Sequence, residues 1–198
     1  MPVITLSREL GSRGDDVAMA VAERLDLRLV GRELINRAAR AAGAPEVALA
    51  EIDELGLLGV KPSPAAVRLY TQKVAEVIRE LADRGNLLVV GRGGQVVLAD
   101  EPGVLHVRVV APRPMRLQVV QERCHVAPEA AAARIDASDK ARAAYLRRVH
   151  GVRGDDPGRY DLVLNLAHLS VEAAADVICL AAIRVAGVGR AATPGVSL

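Results

Sequence analysis

The turn Ser7-Arg8-Glu9-Leu10-Gly11-Ser12-Arg13-Gly14-Asp15-Asp16 combines two glycines, two arginines and a pair of adjacent carboxylates. A glycine-containing turn from a buried strand into a helix can aim backbone N–H groups at a phosphate, and the helix N-terminus adds partial positive charge. The pattern falls short of the phosphate loop G-x-x-x-x-G-K-[ST]. With Gly11 as its second glycine, Ser12 takes the lysine position; with Gly14, Asp15 takes it. Arg8 and Arg13 are the nearby cations. Read as structure alone, Asp15 and Asp16 complement the helix dipole, each by about 0.3–1 kcal/mol. Read as ligands, they would suit Mg²⁺, which favours carboxylate and phosphate oxygens. A dinucleotide fingerprint fits worse: Glu9 replaces its first glycine, and Val96 stands where Gly91-Arg92-Gly93 would need a third.

Two further groups merit attention. Arg92 follows the apolar run Leu87–Val90, a cation at the end of a strand where ligands bind in parallel sheets. Asp139, Lys140 and Arg142 fit either a site or a solvated helix face, since i,i+3 charge pairs are common. His106, His125, His150 and His168 lack metal-ligand spacing. Ser7 and Ser12 lie in the first turn and not in a G-x-S-x-G elbow, so no Ser-His-Asp arrangement can be argued.

The elements that must position these residues follow from hydrophobic periodicity. Strands are expected at Val3–Leu6, Leu27–Val30, Leu87–Val90, Val104–Val110 and Tyr160–Leu166. Helices are expected at Asp15–Leu25, Glu33–Ala42, Pro45–Leu55, Ala65–Ala82, Pro112–Arg123 and Val171–Ile183, with a loop at Gly56–Pro64. Pro128–Arg148 has a broken apolar stripe and reads as exposed helices forming a flap. Alternating strands and helices predict an α/β fold with a five-stranded, mostly parallel sheet covered on both faces. The helices Ala65–Ala82 and Val171–Ile183 are each compatible with a core role or with packing on a second copy.

Composition bounds the rest. The 198 residues suffice for one domain with a full core. Net charge is +2, which argues against a strongly basic nucleic-acid binder. With three Tyr and no Phe or Trp, the core must be built from Leu, Val, Ile and Ala, and the composition argues against aromatic platforms for single strands. Cys124 and Cys179 fit no metal spacing and read as packed thiols in a reducing compartment. The N-terminus lacks a signal-peptide apolar run, and the apolar stretch Val171–Val188 is broken by Glu172, Asp176 and Arg184. A cytoplasmic location is expected.

Five segments in order resemble the cytidylate kinase-like family of P-loop proteins, whose usual first turn is I-S-R-x-x-G-S-G-G-R-E-I-A. They are Leu6–Ala18, Val30–Ile35, Leu88–Gly93, Asp139–Tyr145 and Tyr160–Asn165. The resemblance implies a three-layer P-loop kinase domain over residues 1–186, with a lid at 125–158 and a flexible tail at 187–198. It also implies ATP and Mg²⁺ as cofactors and a small nucleotide such as CMP as acceptor. Arg8, Gly11, Ser12, Arg13, Gly14, Asp15 and Arg116 would serve the donor phosphates. Arg37, Arg92, Asp139, Lys140 and Arg142 would serve the acceptor, with Arg13, Arg92 and Arg142 supporting transfer and Asp15 and Asp16 the metal. Three positions depart from the family. Arg13 replaces a glycine, Asp15 an arginine, and Gly31 the aspartate of Y-D-R-E. The competing class is a nucleotide-binding or regulatory module that has lost turnover; an NAD-dependent oxidoreductase is the third.

Overall fold

Residues 1–41, 43, 63–154 and 156–188 are described by a computed structural model. The helix expected at 45–55 and the loop at 56–62 lie outside these residues, as do positions 189–198 of the expected tail.

The apolar runs become five parallel strands: β1 (Val3–Arg8), β2 (Arg28–Val30), β3 (Leu87–Val90), β4 (Val104–Val110) and β5 (Leu162–Asn165). Their order is β2-β3-β1-β4-β5, and every pairing is parallel. Between them lie α1 (Gly14–Arg24), α2 (Arg32–Ala41) and α3 (Pro64–Asp83). Next come α4 (Gly94–Val97), α5 (Arg113–Cys124), α6 (Pro128–His150) and α7 (Val171–Val188). The one-turn α4 was not foreseen, because four residues are too few to show a helical period.

Strand alternation splits the apolar residues between two layers. On one face Ile4, Leu6, Leu88, Val90, Leu105, Val107 and Val109 pack with Val17 and Val21 of α1 and Ala174, Ala175 and Ile178 of α7. On the other face Val3, Leu87 and Val89 pack with Ile35 of α2, Tyr70, Val74 and Ile78 of α3, and Leu98. Burying each large aliphatic side chain contributes about 1.5–3 kcal/mol, so the two layers commit the sheet to being covered on both faces.

The second face also bears a polar stripe. Thr5 pairs with His106 and Ser7 with Arg108 across the β1–β4 ladder, and Thr5 Oγ1 lies 2.8 Å from His106 Nδ1. Asp161 accepts a hydrogen bond from the His106 amide at 2.7 Å. Burial lowers the His106 pKa below its ordinary 6.5, against a weaker upward pull from Asp161. The native state therefore favours the neutral ring. Its contribution is complete above 6.5 and is lost as pH falls through the lower folded value. Urea melts between neutrality and pH 5 are expected to show stability falling with acidification, with a shallower slope in His106→Gln. Equal slopes would contradict this account.

Two local expectations are corrected. Residues 128–150 form one continuous helix, because Ala131 and Ile135 pack against Val120 of α5 and Leu146 is also buried. Cys124 is exposed, while Cys179 is half-buried; neither forms a disulfide. No helix among the described residues is long and apolar enough to cross a membrane.

Candidate functional site

The chain leaves central β1 toward β2 and β3 on one side and later adds β4 on the other. Ligands bind at such a reversal, outside the carboxyl ends of the strands. The loops after β1 and β3 meet here and, with α6, line a cleft of about 420 Å³. Ser7, Arg8 and Asp15 come from the first turn, Arg92 and Gln95 from the second, and Arg142, Tyr145 and Arg148 from α6.

The first turn is tight. Gly11 has φ +81°, and a Cβ there would come within 2.5 Å of the Arg116 carbonyl oxygen. Gly14 starts α1, and a Cβ there would meet Arg8 Cβ at 2.5 Å. Between them Arg13 adopts φ 61° and ψ 15°. This is the left-handed conformation, which costs a non-glycine residue about 1–2 kcal/mol. Ser12, fully buried, donates its hydroxyl to Glu9 O at 2.8 Å and accepts from the Gly14 amide at 3.3 Å. The other first-turn amides of α1 have no intrahelical acceptor.

Opposite responses follow for the two left-handed positions. Gly11→Ala is expected to cost at least about 2 kcal/mol, since left-handed strain adds to the backbone overlap. Arg13→Gly relieves strain and loses a pair whose arginine is half-exposed, while Asp16 keeps Arg123, so its melting temperature should not fall. Thermal melts check both; an Arg13→Gly protein less stable than Gly11→Ala would refute the assignment.

Each acid of the turn has a cationic partner. Asp15 pairs with Arg8 at 2.8 Å. Asp16 receives hydrogen bonds from Arg13 and Arg123. Burial would raise the Asp16 carboxyl, but the hydrogen bonds and charges of these two arginines prevail and hold it below its ordinary 3.8. Glu9 receives Arg108 at 3.3 Å and Arg116 at 3.5 Å.

Arg116 is the strap of the site. Its Nε donates to Leu10 O at 2.7 Å, and its two terminal nitrogens hold Asp139 of α6, each at 2.9 Å. One turn earlier, Arg113 holds Asp136 in the same forked manner. Positions 113 and 116 of α5 thus match 136 and 139 of α6, and the two pairs clasp α6 to the body. Arg142 follows on α6; burial and neighbouring Arg108 lower its pKa, opposed by Asp139 and Glu9, and it remains a cation.

In the second turn Gly91, Arg92 and Gly93 all have positive φ. Arg92 is buried, donates to Tyr70 Oη at 3.0 Å, and sits 5.1 Å from the centroid of the Tyr145 ring. Tyr70 in turn donates to Asn36 Oδ1 at 2.9 Å.

Of the residues proposed from sequence, Arg8, Asp15, Arg92 and Arg142 line one cleft. Gly11, Ser12, Arg13 and Gly14 form its adjoining turn, and Arg116 with Asp139 braces that turn. Arg37 and Lys140 are exposed on α2 and α6 and do not line the cleft. The sequence reading missed Arg148, Gln95 and Arg108. Arg108 donates to Gly154 O and packs 5.8 Å from the Tyr160 ring centroid. Its alternation with His106 in otherwise apolar β4 was the available signal. Among the described residues no group of three acidic, His or Cys side chains could hold a metal ion.

A five-stranded parallel sheet with helices on both faces and this first turn defines a P-loop kinase fold. Residues 3–168 match the model of the cytidylate kinase-like family, and the chain belongs to that family. A crystal structure of an uncharacterized protein from Eubacterium ventriosum superposes with a TM-score of 0.74 at 20% identity, covering 92% of this chain and 99% of that one. The gluconokinase of Sinorhizobium meliloti gives 0.53 at 14%, covering 94% of each chain. The shikimate kinase of Acinetobacter baumannii gives 0.52 at 15%, covering 93% and 94%. These likenesses concern the fold. In sequence, the chain is 26% identical to a Corynebacterium glutamicum protein named uronate isomerase over 135 residues, 67% of this chain. It spans about a quarter of that relative, 25% of its length.

Proposed function

We infer that this chain transfers the γ-phosphoryl group of ATP to a small acceptor, with CMP or another nucleoside monophosphate as the acceptor suggested by the family resemblance. The observation behind this reading is the convergence of Arg8, Arg92, Arg142 and Arg148 on one cleft beside the β1–α1 turn. An acceptor oxygen attacks the γ-phosphorus; the new O–P bond forms as the bond to the β,γ-bridging oxygen breaks, and ADP leaves with that electron pair. A phosphate oxyanion as attacking group has no proton to lose. That suits a cleft whose lining carboxylate, Asp15, is engaged by Arg8.

Such transfer depends on positioning and on neutralising charge spread over the phosphoryl oxygens. The first-turn amides, with Arg8 and Arg13, would hold the donor, and Arg116 keeps that turn in shape. Arg92 would hold the acceptor, while Arg142 closes from a lid spanning 125–158. Mg²⁺ bound to the triphosphate supplies further neutralisation when present. Asp15, exposed at the cleft, fits as its carboxylate ligand; Asp16, held by two arginines, fits less well.

A non-catalytic nucleotide-binding module is the second reading, favoured by the Arg8–Asp15 pair beside a turn without lysine. Calorimetric titration with ATP·Mg²⁺ and a coupled assay of ADP release with CMP separate the two. Uptake with turnover supports the enzyme, uptake without turnover across nucleoside monophosphates the module. No uptake by folded protein would defeat both.

A further inference from the structure

We propose that Tyr70, with Asn36 behind it, is a positioning residue of the acceptor subsite: its buried hydroxyl fixes the Arg92 guanidinium at the cleft wall before any ligand arrives. This rests on the phosphotransferase reading above and adds to it a residue that itself lies outside the cleft lining.

Tyr70 is the largest wholly buried side chain among the described residues, in an apolar layer with Ile35, Val74 and Ile78. A hydroxyl there is costly unless it is bonded, and packing alone would be served by the ring. The oxygen is used twice. It donates to Oδ1 of Asn36, itself 2% exposed, at 2.9 Å. With its proton committed there, it accepts from Nη1 of Arg92 at 3.0 Å. Asn36 on α2 thus orients the hydroxyl on α3, and that hydroxyl orients a cation just beyond β3. Each bond polarises the next.

The backbone of the second turn is fixed by other contacts. Gly91 N donates to Leu6 O at 3.0 Å, Gly94 N to Gly91 O at 3.1 Å, and Tyr145 Oη to Arg92 O at 3.4 Å. None of these restrains the side-chain torsions of arginine, whose rotamer freedom is among the largest lost on ordering. Tyr145 meets the guanidinium with its ring, 5.1 Å from the centroid. A ring face sets no rotation of the planar fork, whereas the bond to Tyr70 does. Loss of that bond therefore falls on the aim of the fork and leaves the turn in place.

Tyr70→Phe keeps the ring and removes only the oxygen. Calorimetry on the full chain is expected to show CMP weakened about fivefold, the order for a rotamer-rich side chain that must be fixed at the moment of binding, with ATP·Mg²⁺ within about twofold. In an Arg92→Met background the same change should weaken CMP by less than about twofold, because Tyr70 acts through the missing arginine. Asn36→Ala, one bond further back, should give a smaller loss of the same pattern. Nuclear magnetic resonance relaxation of the Arg92 Nε–Hε group reads the effect without any ligand: ordered in the native chain, it should become as mobile in Tyr70→Phe as that of exposed Arg79. Unchanged CMP affinity in Tyr70→Phe beside weakened CMP in Arg92→Met overturns the proposal. So does an equal CMP loss in both backgrounds, a parallel loss of ATP, or an Arg92 Nε–Hε group equally ordered with and without the hydroxyl. If the folded native chain takes up no CMP, the acceptor reading fails instead, and the relaxation measurement still decides whether Tyr70 orders Arg92.

Discussion

Arg116→Met is expected to destabilise the protein by about 3 kcal/mol, a loss of about 6–12 °C in melting temperature for a domain of this size. The guanidinium is almost wholly buried and serves three acceptors: Leu10 O, the forked Asp139 carboxylate and Glu9. Methionine preserves much of the stem volume but removes the shared cation, leaving Glu9 with Arg108 at 3.3 Å, Asp139 with Arg142 at 3.9 Å, and Leu10 O without its donor. Breaking a buried pair by removing one partner typically costs about 3–5 kcal/mol, since the remaining charge is uncompensated. The lower end applies because Asp139 is about one-third exposed, at 32%. Arg113→Met, removing the corresponding exposed pair with Asp136, should cost under about 1 kcal/mol. Urea titration of both variants is the measurement; equal, small losses would show that the clasp is peripheral.

The second large effect is on ligand binding. Arg92→Met is expected to weaken CMP by about ten- to hundredfold, the range for losing a charge-assisted hydrogen bond of about 1.5–3 kcal/mol. ATP affinity should be nearly unchanged, because the first turn is built from other residues. Tyr70 keeps its bond to Asn36 in the variant, so folding should suffer much less than binding. Arg92→Lys restores charge without the planar fork and should fall between the two. Calorimetry with CMP, paired with thermal melts, separates a binding defect from unfolding. Unchanged CMP affinity in folded Arg92→Met would remove this residue from the acceptor site.

Both experiments address residues whose partners are remote in sequence, and that marks where sequence reasoning ran out. The sequence marks Arg92 as a cation at the end of an apolar strand, and the family resemblance marks Arg116. Nothing in their order along the chain pairs Arg116 with Asp139 or sets Arg92 against Tyr145. Asp139 was read as an acceptor contact or a solvated charge, and it is the buried arginine's counter-ion. Arg37 and Lys140, which the family resemblance implies for the acceptor, are exposed and lie outside the cleft lining.

Local composition was sufficient for the strands, most helices and the parallel architecture, because period-2 and period-3.6 apolar patterns report which face of each element is buried. It was also sufficient to mark the first turn, where glycines alternate with polar residues. At Arg13 local sterics disfavour the left-handed backbone, and the packed turn around it overrides that preference. Which charges face one another, which arginines share the cleft and which rings are already covered depended on strand order 2-3-1-4-5 and the docking of α6. Those relations join residues tens of positions apart, and no periodicity in a linear chain encodes a contact that exists only once two layers have closed on the sheet.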